Sequence, residues 1–418
     1  MEYIKSKDIY LLMRDILKLI NPTLIEHGSR VAYIVYKMLR EENKYEEFEL
    51  ADIVMIATMH DIGAYKTERG RINDMLQYET RDSMAHSIYG YLFFKYLSPE
   101  PDLAKVIMYH CRDYEKLQAV DYAYKDVAAY INIAEKIDIY SNTMGTQFDP
   151  RMFQKQAGTK LSAAGLERFY QCHSKYNIKE KLESGEYKTE LNEIAEYMIF
   201  SNENKKKFLD MLIYCLGFVR EGMVLDTVTT ICICEEIASR LFLPDQEREM
   251  IYYAALLHDL GMIAISQDIV MAPRKLKPEE IKHVRTHVAI TKEKLEHKMD
   301  AEIINIALAH HERGDRSGYP KRLNEQQINV RQGVLQVADV VSALVNKRSY
   351  REAATKQQVL RILNEEVAKN RFKKQIVMVL SESYDEIMAH VKRETASILK
   401  MYQTLNMQYQ QVSTKYKI

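Results

Sequence analysis

Apolar residues recur at three- and four-residue intervals along almost the whole chain. YLLMRDILKLI, RVAYIVYKMLREE, IYYAALLHDL and AEIINIALAHH each gather them on one face of a 3.6-residue period, which predicts amphipathic helices. No stretch alternates convincingly in the manner of a strand. Proline and glycine, which interrupt helices, number only 8 and 14. The pattern predicts an all-α fold. The stretch ESYDEIMAHVKRETASILKMYQTLNMQYQQ reads as one long polar helix, either solvated or offered to a second copy in a homodimer.

The pattern also repeats. EHGSRVAYIVYKML…ADIVMIATMHDIG in the first half parallels LDTVTTICICEEIA…MIYYAALLHDLG in the second. His27 to His60 spans 33 residues and Asp226 to His258 spans 32. His86 to His110 and His287 to His311 both span 24, a pairing that makes Tyr109 the counterpart of His310. Two tandem helical bundles are expected, over residues 1–198 and 199–418. The boundary is placed in SGEYKTELNEIAEYMIFSNENKKK, where charge and Asn/Ser rise between helices.

Composition narrows the class. A chain of 418 residues with 47% hydrophobic content fits two or three globular domains. No run approaches the roughly 18 apolar residues that span a membrane. The start, MEYIKSKDIYLLMRD, has no apolar leader, so a cytoplasmic protein is expected. Five cysteines without a CxxC pair suit a reducing compartment, and Cys232 and Cys234 in TTICICEEIA read as core. Fifty-nine basic residues balance 59 acidic ones, which disfavours long nucleic acid as a partner. A small phosphorylated ligand needs only a local cluster of cations.

The twelve histidines change the picture most. His27, His60-Asp61, His86 and His110 in the first half are matched by His258-Asp259, His287, His310 and His311 in the second, followed by Asp339. Each half thus offers one candidate ligand from several successive helices. Imidazoles and carboxylates at helix ends can build a two-metal site in a bundle, with a carboxylate bridging the ions. Mixed N/O donors without thiolate suit iron or manganese better than structural zinc. A lone histidine on a helix face is usually core, but the repeated order argues against chance. The stretch HHERGDRSGYPKRL adds four cations, two glycines, a tyrosine and a proline directly after the paired histidines. A metal cluster beside a phosphate would use both parts.

MHDIG and LHDLG resemble the signature of the HD metal-dependent phosphohydrolase superfamily. The second half is similar to its HD-GYP subgroup through HDLG, KPEEIKHVRTH, HHERGDRSGYP, VADVVSAL and RSYREA, over roughly residues 205–375. The first half resembles a shortened relative that keeps GTQFDP and lacks the GYP loop. The resemblance implies hydrolysis of a cyclic dinucleotide, above all cyclic di-GMP, at a centre of two or three divalent ions, in bacterial second-messenger signalling. It implies Asp226, His258, Asp259, His287, His310, His311 and Asp339 as metal ligands, with Asp259 bridging and His258 and Asp259 catalytic. Gly318, Tyr319 and Pro320 would shape the substrate mouth, glycine through its tolerance of positive φ. Arg313, Arg348 and Arg351 would lie near the phosphates. A second set would be His27, His60, Asp61, His86, His110 and Glu135.

Departures from the family pattern keep other readings open. Asp226 stands where the family has its first histidine, Met262 where it has a lysine, Arg316 for a glycine and Ser349 for a proline. Ala64 takes the lysine position in the first half. A catalytically weak nucleotide-binding or protein-interaction module is therefore a second reading. A phosphohydrolase acting on another nucleotide through the N-terminal site is a third.

Overall fold

The computed structural model describes residues 3–67, 75, 84–346 and 352–416. Helices carry the fold throughout, and among the described residues the only β-type pairings are three isolated bridges. No described helix is long and apolar enough to cross a membrane.

The chain divides into two compact units. One comprises Ser6–Met211 and Gln403–Ile418, the other Met1–Lys5 and Leu212–Tyr402. Each unit therefore includes a short piece from the far end of the chain. In the C-terminal unit Ile4 bridges Met299, Tyr3 O accepts from Asp300 N at 2.8 Å, and the Tyr3 ring meets Tyr253 at 5.7 Å. In the N-terminal unit Tyr409 meets Tyr89 at 5.8 Å, and Leu405 is buried.

Five helices frame the site in each unit. In the N-terminal unit they are α1 (Pro22–Glu42), α2 (Glu47–Thr58), α3 (Met84–Leu97), α4 (Ala104–Tyr109) and α5 (Lys125–Met144). Their C-terminal counterparts are α6 (Glu221–Arg240), α7 (Asp245–Leu257), α8 (Thr286–Leu295), α9 (Ala301–Ala307) and α10 (Val330–Val345). The local causes are visible in the sequence. Asn21 caps α1 by accepting from Thr23 N and Leu24 N, and Pro22 supplies a preset φ at the first turn. Asn43 ends α1 in the left-handed region at φ 52°. Asn329 and Gln332 form a reciprocal capping box at the start of α10. α1 buries Val31, Ala32, Ile34, Val35, Met38 and Leu39, and α7 buries every residue from Met250 to Leu257. Cys232 and Cys234 are core residues of α6.

Candidate metal centres

The His-Asp dipeptides sit just past the ends of α2 and α7, where the chain turns back beneath the next histidine-bearing helix. The glycine that follows each makes this turn possible. A Cβ on Gly63 would lie 2.0 Å from the carbonyl oxygen of His86, and one on Gly261 would lie 2.0 Å from that of His287. No side chain fits there, so each HDxG glycine lets the dipeptide approach the third histidine.

In the C-terminal unit His258, Asp259 and Asp339 converge as one group of potential ligands, and His287, His310 and His311 as another. Asp259 lies between them. Its Oδ2 is 3.6 Å from His258 Nε2, while its Oδ1 is 3.4 Å from His287 Nε2 and 3.7 Å from His310 Nε2. Asp339 reaches toward His258 at 3.8 Å and toward His311 Nδ1 at 3.9 Å. The Nδ1 atoms of His258, His287 and His310 face the carbonyls of Ala255, Val284 and Ala307 at 2.6–2.8 Å. Donation there holds the proton on Nδ1 and turns the Nε2 lone pair inward, the orientation a metal ligand needs. Burial opposes charge on His258, yet the Asp259 and Asp339 carboxylates push its pKa up to about 9. Burial likewise opposes ionisation of Asp259, but His258, His287 and His310 draw its pKa down to about 2. The site favours positive charge at Nε2 of His258.

The N-terminal unit repeats this arrangement. His27, His60, Asp61 and Glu135 form one group, and His86, His110 and Cys111 the other. Asp61 again divides its oxygens, with Oδ2 3.5 Å from His60 Nε2 and Oδ1 3.1 Å from His86 Nε2. His60 and His110 turn Nδ1 to the carbonyls of Ala57 and Ile107. His27 turns Nδ1 to the Asp138 carboxylate at 2.7 Å, and Arg30 grips the same carboxylate through two nitrogens. Burial pushes His60 below its ordinary pKa and His110 well below it. The Nε2 atoms of His27 and His60 are buried without a hydrogen-bond partner. Buried polar atoms are normally satisfied, so these two fit a bound cation. Both clusters suit divalent ions.

Residues 24–142 and residues 200–376 each match an HD domain. The chain is a tandem HD protein, its C-terminal half of HD-GYP type. It is 24% identical over 378 residues to 3′3′-cGAMP-specific phosphodiesterase 1 of Vibrio cholerae serotype O1, covering 85% of this chain and 86% of that relative. It is 38% identical over 130 residues to a cyclic di-GMP phosphodiesterase response regulator of Xanthomonas campestris pv. campestris, covering 30% of this chain and 34% of the relative. A solved cyclic GMP-AMP-specific phosphodiesterase of V. cholerae (V-cGAP3) shares its fold, with a TM-score of 0.58 and 15% identity over 92% of this chain and 98% of that one.

The structure of this tandem HD protein differs from the sequence reading in two places, at Tyr109 and Gly318. His110, not Tyr109, occupies the place of His310. The His86–His110 and His287–His310 Nε2 pairs are both 3.2 Å apart, and the His60–His110 and His258–His310 rings both meet at 4.9 Å and 79°. The paired histidines are therefore mirrored by His110-Cys111, and the matching 24-residue intervals misled by one residue. Gly318 is not a positive-φ residue; a Cβ there would meet Arg313 N at 2.4 Å and His311 O at 2.5 Å, so close approach requires the glycine. The left-handed positions in this stretch are Arg316, at φ 65°, where the family pattern has its glycine, and Arg322, at φ 54°. Asp226 stands in neither C-terminal group; its Oδ1 accepts from Asn346 Nδ2 at 2.8 Å.

The GYP loop covers the second histidine. The Tyr319 ring lies 4.7 Å from the His311 ring, and the Arg285 guanidinium lies 4.7 Å from the centre of the Tyr319 ring. Pro320 is exposed. Arg313 spends Nη1 on the carbonyls of His310 and Glu312 and rests over Phe372 at 4.9 Å. Glu312, missed in the sequence, is 1% exposed and accepts from the backbone nitrogens of Lys321 and Leu323, which fixes the loop. Arg348 and Arg351 lie outside the described residues.

Proposed function

We propose that the C-terminal unit hydrolyses a cyclic dinucleotide, with cyclic di-GMP as the substrate indicated by its motifs. The carrying observation is exposure. The Asp259 side chain is 33% exposed and that of Asp339 is 18% exposed, whereas Asp61 is only 4% exposed. His258, Asp259 and Asp339 would hold one ion, and His287, His310 and His311 with the second Asp259 oxygen another; a third ion would need further donors. The nitrogen and oxygen donors fit iron or manganese better than zinc. Bound ions there supply an activated water and neutralise charge on the phosphoryl oxygens. The chain's own residues do the rest. Carbonyls fix the imidazole rings, Tyr319 walls the mouth, and the exposed Arg285, Arg316, Lys321 and Arg322 attract the anion.

Two observations favour a slow enzyme that also serves as a nucleotide-binding module. Asp226 is engaged by Asn346, and the half-buried Met262 offers no charge beside the cluster. The likeness along most of the chain to a 3′3′-cGAMP-specific relative supports 3′3′-cGAMP as the second substrate reading. Purified protein loaded with manganese or ferrous iron should cleave one of the two, and the ratio of their kcat/KM values decides between them. Neither cleavage nor binding of either compound would end the proposal.

A further inference from the structure

Cys111 directly follows His110 and joins it and His86 in one cluster of potential ligands. We infer that the N-terminal unit binds a zinc-class divalent ion through a thiolate, with Cys111 as a ligand beside His86, His110 and Oδ1 of Asp61. The Cys111 sulfur lies 2.9 Å from His110 Nε2 and 3.4 Å from His86 Nε2, and those two nitrogens are 3.2 Å apart. Asp61 Oδ1 lies 3.1 Å from His86 Nε2 and 3.8 Å from His110 Nε2. Cys111, His86 and His110 thus face one small volume, with Asp61 Oδ1 beside the two imidazoles. Cys111 occupies there the place that His311 takes in the other unit.

The cysteine does not stand alone. Across the same carboxylate, the buried Nε2 atoms of His27 and His60 face Asp61 and Glu135 without a hydrogen bond of their own. Buried polar atoms are normally satisfied, so these two nitrogens point to a cation beside Asp61 on that side as well. The other four cysteines are buried and belong to no such group.

The donor chemistry sets the ion. Two imidazoles and a thiolate with a carboxylate beside them suit zinc, whereas hard ions prefer oxygen and nitrogen. On binding, the Cys111 thiol gives up its proton to solvent and the sulfur pair bonds to the metal. The C-terminal cluster contains no sulfur. The two units would therefore sort metals, the N-terminal one keeping a permanent structural ion. This assignment stands whether or not the C-terminal unit hydrolyses anything.

The test uses the full chain, stripped of metal and reloaded with cobalt(II). A sulfur-to-cobalt charge-transfer band is expected in wild type and in the His258→Ala/Asp259→Ala variant, and should vanish in Cys111→Ser and Cys111→His. Elemental analysis after loading with equal zinc and manganese should show zinc retained through a chelator wash. In Cys111→His a metal should remain while the zinc preference falls about tenfold or more. If Cys111→Ser fails to fold by circular dichroism, the histidine variant decides. Cobalt bound without the band, or a band that survives both substitutions, would overturn the assignment. A wild type that shows the band but cleaves no cyclic dinucleotide would sink the proposed function alone.

Discussion

The two units set nearly the same ring of side chains on the same five-helix frame, yet they treat it oppositely. Around Asp61 the imidazoles are sealed and every position carries a ligand type, from His27 to Glu135 and Cys111. Around Asp259 the carboxylates are open and the first position has changed. The change is paired. His27 is supported by the Asp138 carboxylate, three residues after Glu135; Ser342 lies three residues after Asp339, and its hydroxyl donates to Asp226 O at 2.9 Å. The histidine and its carboxylate partner in one unit are thus both replaced by other residue types at the matching places in the other. The same frame encloses its carboxylate in one unit and opens it to solvent in the other.

The largest effect that could break this comparison is loss of the open centre. His258→Ala with Asp259→Ala should strip metal from that unit and reduce hydrolysis to background, while His60→Ala leaves cleavage in place. If His60→Ala abolishes cleavage and the double variant does not, the roles of the units are reversed. Next comes Met262→Lys. A positioned donor to developing phosphoryl charge is worth about 3–4 kcal/mol, so kcat should rise ~10²–10³ with little change in KM. A fast wild type with no gain from lysine would remove the slow-enzyme reading.

Glu312→Gln tests the loop. It weakens two charge-assisted hydrogen bonds from the loop backbone and should cost about 2 kcal/mol in urea unfolding, with metal content unchanged. An unchanged midpoint would show that the loop does not depend on that carboxylate. Asp226→His should improve metal retention only modestly by itself. Adding Ser342→Asp should gain about a further tenfold, the usual value of an orienting carboxylate behind a histidine ligand. Equal retention by the single and double variants would unlink the paired exchange. The smallest effect belongs to Arg316→Gly. Relief of a left-handed residue is worth about 1 kcal/mol, partly offset by glycine's freer unfolded chain. A net gain of several tenths of a kcal/mol in thermal unfolding is expected, and a loss would show that Arg316 earns its place by contacts.

Much of this frame was legible because helical periodicity and the ordered histidines are properties of single positions. His-Asp followed by Gly could be recognised twice, and the glycine has a steric cause at both Gly63 and Gly261. What escaped were features that exist only between distant positions. Asp138 looks like any polar helix residue until it meets His27, 111 residues away. Glu312 looks like a solvated helix end until its oxygens meet the backbone of Lys321 and Leu323. Cys111 was passed over because interval counting paired His110 with His311, and one residue of difference between the turns was enough to mislead.

The terminal pieces bear on how this protein is made. A ribosome releases residues 6–211 long before it reaches Gln403–Ile418, and domains generally begin folding in the order of synthesis. Most of the N-terminal unit is therefore translated well before that unit is complete, because Leu405 and the Tyr409 partner of Tyr89 follow only after the whole of Leu212–Tyr402. Its histidine-lined core has to wait through the synthesis of Leu212–Tyr402 before those two side chains are in place.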